Sequence, residues 1–219
     1  MAKKHPSLDN IRFSNPKYGM VTNGISSLIS ENSHQRWKYP ILIEALLKLF
    51  APAMTRNEYL GFVVDLIREW SGCQGVGVRV LDREDNILYE ACRGFSREFW
   101  EHHNWISLER DKCVCTRVVA GKPEIQDLPC LTALGSFYSN DTVSFIEGLS
   151  ERQRLRFRGG CVNRGYLSVA IVPFRWEGKI LGTIHLADEK AGMVPLEMVE
   201  QLELVTPVLG EALHRFELE

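Results

Sequence analysis

Six cysteines, at positions 73, 92, 113, 115, 130 and 161, set the range of chemistry open to this chain. A thiolate is both a nucleophile and a soft metal ligand. Cys113 and Cys115 form a Cys-x-Cys pair, and in extended chain that spacing puts both sulfurs on one side. With Cys161 they make a candidate set for Zn, an Fe–S cluster or a similar metal. Cys130, His102 and His103 are candidates for a further ligand. The chain has no paired Cys-x-x-Cys spacing and no Cys-x-x-Cys-His haem-attachment signature. The alternative is free thiols packed as small apolar side chains, which is the expectation for Cys73 and Cys92. For Cys113, Cys115 and Cys161 both readings stand. His102, His103 or His185 can offer an axial nitrogen to haem or another tetrapyrrole. A histidine inside a strand, as His185 is expected to be, more often serves as a hydrogen-bonded core or edge residue.

A second set surrounds Cys161. Arg158-Gly-Gly-Cys-Val-Asn-Arg164 flanks the thiol with two guanidiniums and two glycines. Glycine lets backbone approach a ligand, and guanidinium suits carboxylate or phosphate. Arg158 is the arginine expected to serve a ligand, whereas Arg154 and Arg156 are expected to be solvated. Tyr166 and Ser168 follow as possible hydroxyl partners. Phe95, Phe99, Trp100, Trp105 and Phe137 would serve a flat apolar ligand or, more simply, a core.

Composition narrows the field. A chain of 219 residues suffices for one domain with a sizeable core. With 26 Lys plus Arg against 28 Asp plus Glu, nothing suggests a general grip on nucleic acid. No apolar run approaches the ~20 residues that span a bilayer, and the start has no secretory pattern, so a cytoplasmic location is expected. Phosphate-binding, dinucleotide-binding, nucleophile-elbow and zinc-protease motifs are absent from the sequence.

The elements that must position these residues read as follows. Residues 1–37 carry scattered Pro, Asn-Gly and Ser/Asn breaks and are expected to be a flexible arm, with at most a turn of helix near Ile25–Ile29. The remainder, 38–219, is expected to be one domain. Pro40 suits a first helical turn, with Ile43, Leu46, Leu47 and Phe50 as the inward stripe and Pro52 as the stop. Thr55-Arg-Asn-Glu58 has capping-box spacing before Leu60, Val63, Val64, Ile67 and Trp70, and Gly72 ends that helix. Val76, Val78 and Val80 alternate as in a strand, which a turn at Glu84-Asp-Asn pairs with Ile87–Arg93. Residues 94–167 are expected to be irregular, apart from a short helix from Cys115 to Ala120. Leu167–Trp176 and Lys179–Ala187 read as a hairpin around Glu177-Gly178. After Pro195, apolar residues from Leu196 to Phe216 recur at helical spacing, with Glu197, Glu200, Glu203 and Glu211 on other faces. That helix is expected to pack behind the sheet and to form a homodimer.

This order resembles a GAF domain. Cys115-Thr-Arg-Val-Val-Ala-Gly-Lys-Pro-Glu-Ile-Gln-Asp-Leu128 is similar to the family's short helix, Gly-Lys-Pro turn and edge strand. Ser168-Val-Ala-Ile-Val-Pro-Phe and Ile180-Leu-Gly-Thr-Ile-His-Leu are similar to its last two strands. Arg93-Gly-Phe-Ser-x-x-Phe-Trp100, Asp111-Lys-Cys-Val-Cys-Thr-Arg117 and Arg158-Gly-Gly-Cys-x-x-x-Gly-Tyr-x-Ser168 resemble the modules attached to sensor kinases and regulators of anaerobic bacteria and archaea. The resemblance covers about residues 55–217 and implies an α/β (α+β) fold: a central antiparallel sheet, helices on one face, and a ligand cup under residues 94–167 on the other. It implies a non-enzymatic sensor for a small ligand, a metal or haem, or one that senses redox through cysteines, with a kinase or regulator as output partner. Ligand-binding residues would be Cys113, Cys115, Cys161, Arg158, Tyr166, Ser168 and Trp100. Some stand-alone GAF proteins reduce free methionine sulfoxide, and the alternative is such an enzyme using Cys115, Cys161 and Cys92.

Overall fold

A computed structural model describes Tyr39–Leu49 and residues 54–218. The expectations for 1–37, Phe50 and Pro52 lie outside these residues. Helix α1 spans Tyr39–Leu49 and α2 spans Arg56–Ser71. Thr55 caps α2 through the full capping box with Glu58, and the helix stops at Gly72. Strands β1 (Gly75–Leu81) and β2 (Asn86–Arg93) follow, then α3 (Arg97–His103), β3 (Trp105–Ser107) and α4 (Val114–Ala120). A 3₁₀ turn at Leu128–Cys130 leads to β4 (Phe137–Ser139), α5 (Thr142–Glu147), α6 (Glu151–Arg154) and α7 (Gly160–Asn163). The chain closes with β5 (Ser168–Trp176), β6 (Lys179–Asp188) and α8 (Leu196–Leu218). The six strands form one antiparallel sheet in the order β3-β2-β1-β6-β5-β4.

Strand alternation decides what each face meets. Val76, Val78, Val80, Ala170, Val172, Phe174, Ile184 and Leu186 point to one side, where they pack with α1, α2 and α8. Five residues of the α2 stripe, Leu60, Val63, Val64, Ile67 and Trp70, are at most 1% exposed. Each such burial contributes about 1.5–3 kcal/mol. The opposite face carries Ile87, Tyr89, Val169, Ile171 and Ala187, covered by α3, α4 and the segment leading to β5. The layering expected from the resemblance therefore holds: helices on one face, a covered cup on the other.

Several details differ from expectation. In α1 the inward residues are Leu42, Ala45 and Leu46, while Leu47 is 56% exposed, so the stripe is rotated from the one read in sequence. Residues 122–128 form no strand. Arg117 of α4 holds Asp127 in a turn there, and the edge strand is β4 instead. The 94–167 segment is built from short capped helices rather than loops. Ser96, Asp141 and Ser150 each accept an amide at a helix start. Glu203, expected in solvent, is buried and accepts hydroxyl hydrogen bonds from Thr132 and Ser136, tying α8 to the turn before β4.

Candidate functional site

Cysteines from two separate segments meet in the cup. Cys113 immediately precedes α4, Cys115 lies in its first turn, and Cys161 sits in α7. All three line one cavity of about 60 Å³. Cys-x-Cys is not extended chain as expected: the helix begins at Val114, yet the two thiols remain neighbours because they share its first turn. Ile106, Val114, Phe137, Phe145, Phe157 and Val169 make the remaining wall largely apolar.

The cavity also contains an arginine that strand alternation alone makes look solvent-facing. Arg79 follows Gly75 and Gly77 on the cup face of β1 and is 1% exposed. A Cβ at position 77 would lie 2.5 Å from the Tyr89 ring, so Gly77 is what lets that ring lie across β1. The guanidinium carbon of Arg79 stands 3.6 Å from the centre of the same ring, a cation–π contact. Its Nη atoms donate to the carbonyls of His103 at 2.5 Å and Asn104 at 3.4 Å, while Nε has no partner among the described residues. Burial works against its charge, but Tyr89 and the thiols of Cys115 and Cys113 more than offset this, and the group stays cationic. An unsatisfied buried donor costs about 1–3 kcal/mol, more when charged.

His185 of β6 and His103 at the end of α3 complete the polar side. The Tyr89 hydroxyl and His185 Nδ1 are hydrogen-bonded, and Cys161 Sγ lies 3.7 Å from His185 Nε2. Burial, then Arg79 and His103, hold His185 neutral well below the ordinary histidine range. Burial and Arg158 push His103 down to about 4. The His103 ring presses on α7, where a Cβ at Gly160 would lie 2.2 Å from its Cε1. Among the thiols, the Cys115 thiol and amide, then Arg79 and Arg117, pull Cys113 down despite burial. The same contact with Cys113, and burial, drive Cys115 up. Burial takes Cys161 to about 12. The arrangement favours one thiolate among three sulfurs, next to a fixed cation, in a partly open and largely apolar site.

Arg158 also lines the cavity, where it pairs with Asp111 at 3.3 Å and donates to the His102 carbonyl at 2.8 Å. This clasp joins α3, the chain before α4, and α7. Other candidates fall elsewhere. Ser168 is buried on the helix side of the sheet, accepts from the Met193 amide and donates to the Lys190 carbonyl, so it pins a turn. Its parity with Ala170, Val172 and Phe174 dictates that direction. Tyr166 packs edge-on against Phe95 and Phe99, behind the cavity wall. Trp100 is half-buried beside the same cluster and does not line the cavity. Cys92 faces the cup-side core outside the cavity, and burial raises its thiol to about 11. Cys130 is half-buried outside the cavity, and His102 is exposed, with Nδ1 hydrogen-bonded to the Glu98 carbonyl. Arg156 pairs with Glu124, and Arg154 with the carbonyls at 147 and 149. Among the described residues no three or more His, Cys, Asp or Glu are arranged to hold a metal ion. A tetrapyrrole needs several times the available volume. As arranged here, the site therefore fits neither group, and the three-sulfur metal centre is not formed.

No protein-family model matches the sequence, and no curated protein matches it either. Solved structures do match. The GAF domain of an Acinetobacter phosphoenolpyruvate-protein phosphotransferase superposes with a TM-score of 0.58 at 13% identity, over 81% of this chain and 93% of that one. A domain of a putative two-component sensor histidine kinase from Sinorhizobium meliloti 1021 gives 0.52 at 12% identity, over 75% and 94%. A free methionine-R-sulfoxide reductase from Neisseria meningitidis, solved with its substrate, gives 0.58 at 16% identity, over 82% and 88%. The chain has a GAF-type fold. No helix among the described residues is long and apolar enough to cross a membrane.

Proposed function

We propose that this chain is a GAF-type sensor domain whose cup receives a small guest beside the thiols of Cys113, Cys115 and Cys161. The observation that carries the reading is one partly open cavity onto which thiols from two segments, a buried guanidinium and two neutral imidazoles all converge. A route to the exterior also exists. Phe137 lines the cavity, and the adjacent Ser136 donates to Glu203 of α8 at 2.5 Å. A guest that moves β4 therefore acts on the terminal helix, provided its affinity differs between the two arrangements. The proposal includes a cytoplasmic homodimer through α8, where Leu204 is 48% and Leu218 74% exposed, and a kinase or regulator reading its state.

The test is a melting-temperature screen of the full chain against amino acids, small carboxylates and small neutral compounds, with absorption spectra and metal analysis of anaerobically purified protein. A guest selective for the folded form must raise stability. The sensor reading expects at least one compound to raise the melting temperature saturably and to alter the oligomeric state. A flat response to every compound, from colourless and metal-free protein, counts against it.

A second reading, a thiol-dependent reductase of free methionine sulfoxide, is favoured by the three thiols sharing the cavity. A cup thiol would attack the sulfoxide sulfur and leave as a sulfenic acid with release of the thioether. A second cup thiol would then form the disulfide and release water, and thioredoxin would return both to thiols. Cys92 lies outside the cavity, so the pair would come from Cys113, Cys115 and Cys161. Thioredoxin-coupled turnover abolished by Cys115→Ser supports this reading, and no turnover removes it.

A further inference from the structure

Among the described residues Arg79 is the buried cation that lines the cavity, and none of them supplies it with a carboxylate. It lines the cavity at 1% exposure, and its Nε–H is buried without a partner. Thr183, its neighbour in the β1–β6 register though outside the cavity lining, has a buried hydroxyl without a partner, a second free donor beside the guanidinium. Buried polar groups are paired in the great majority of native structures, with protein or with bound species. We propose that the guest of the cup is a small anion, a short carboxylate or a comparable planar oxyanion, whose oxygens take the Nε–H and the charge of Arg79 while any carbon tail lies against Ile106, Phe137 and Val169. This rests on the cup being a guest site and adds the charge and size of the guest.

The surrounding groups suit an anion. A guanidinium presents a planar fork that matches a carboxylate. Arg158, which also lines the cavity, is already engaged by Asp111 and the His102 carbonyl, which leaves Arg79 as the cation available inside. No carboxylate lines the cavity, and the negative charge favoured there is the thiolate of Cys113, with which the guest would share Arg79, so anion binding should tighten as that thiol is protonated. Size sets the rest. At about 60 Å³ the space is well below the roughly 150 Å³ of an engineered cavity that holds benzene. A guest of a few heavy atoms, of acetate or propionate dimensions, enters without displacing α3 or α7. A nucleotide does not.

The experiment titrates the full chain with sodium formate, acetate, propionate and nitrate at ionic strength held constant with sodium chloride, and with acetamide and propionamide as neutral counterparts. Melting temperature and heat of binding are read together. At least one anion should raise the melting temperature saturably and its amide should not. The effect should vanish in Arg79→Gln and persist in Arg152→Gln, a change on the exposed helix α6. Because Arg79→Gln may not fold, the wild type is also labelled with iodoacetamide. The binding anion should slow modification of Cys113 at least fivefold and leave Cys130, outside the cavity, unchanged. Amides that bind as well as the acids overturn the inference while leaving a guest site intact. An anion effect equally strong in folded Arg79→Gln overturns it too. If no anion binds and Cys113 labels unprotected, the anion is excluded, and the broader screen with amino acids and small neutral compounds decides the guest site separately.

Discussion

Cys113 is the thiol in this chain best placed to react, chiefly through its contact with Cys115, to which Arg79 adds a smaller push. A cation near a thiol favours the thiolate, and here the Cys115 thiol and amide act in the same direction. Iodoacetamide should therefore modify Cys113 half-maximally below the ~8.5 of a free cysteine. Cys92 and Cys161, pushed up by burial to about 11 and about 12, should stay unmodified over that range. Replacing Arg79 with Gln removes the cation, so the Cys113 profile should move to higher pH. Peptide mass spectrometry across about pH 5 to 10 reads all three sites in one experiment. An unmoved profile in a folded Arg79→Gln protein would mean that the charge does not act on this sulfur.

The cup is held shut by contacts between short elements, and two of them can be tested. Arg117 of α4 makes a two-pronged pair with Asp127 at 2.5 and 2.7 Å, donates to the Arg156 carbonyl at 2.7 Å and stacks on Phe157, joining α4 to the turn at 124–127 and to the strap before α7. The two side chains are 8% and 1% exposed. Asp127→Asn leaves a guanidinium buried without its charge partner, and breaking such a pair costs about 3–5 kcal/mol. Urea unfolding should show that loss, and an apolar pair at both positions should recover much of it. Gly160→Ala should cost about 1–3 kcal/mol by forcing the His103 ring off α7, the price of overpacking. His103→Ala in the same chain should restore part of the stability, which would identify the ring as the obstacle.

These elements also show what sequence makes legible. The capping box at Thr55, the Glu177-Gly178 hairpin and the valine alternation of β1 are local signals, and each stands where its residues predict. Glu177 and Gly178 take φ of 47° and 80°, as a tight hairpin requires. Arg79 was illegible for the opposite reason. Its parity marks only a face of β1, and that face becomes interior because distant residues fold over it. Ser168 misled in the same way. Its parity fixes a face, but which face holds the cup is decided by segments distant in sequence. The convergence of Cys161 with Cys113 needed the fold of the whole covering segment.

For the whole molecule, the two buried imidazoles predict how stability responds to acid. In the unfolded chain His103 and His185 would titrate near ~6.5. Folded, His103 is lowered to about 4 and His185 is held well below the ordinary histidine range, both through burial first and then nearby charges such as Arg79. Between these values the unfolded chain binds protons that the folded chain refuses. Stability is therefore fully present above about pH 6.5 and falls as pH drops toward 4. Glu124, held down to about 2 by Arg156, works in a lower window and adds its loss only as pH falls below the ordinary carboxylate range. The melting temperature should thus decline first between about pH 6.5 and 5, before the carboxylates titrate. His185→Gln keeps a hydrogen-bonding group for Tyr89 but cannot ionise, and combined with His103→Phe it should flatten that first decline. A wild-type melting temperature constant from pH 7 to 5 would show that the imidazoles are not held neutral inside. The decline should be local before it is global, because both rings would acquire charge beside Arg79, and His103 beside Arg158 as well. Hydrogen exchange at mildly acid pH should accelerate in α3 and α7, where the clasp joins them, while α2 and α8 on the far face of the sheet stay protected.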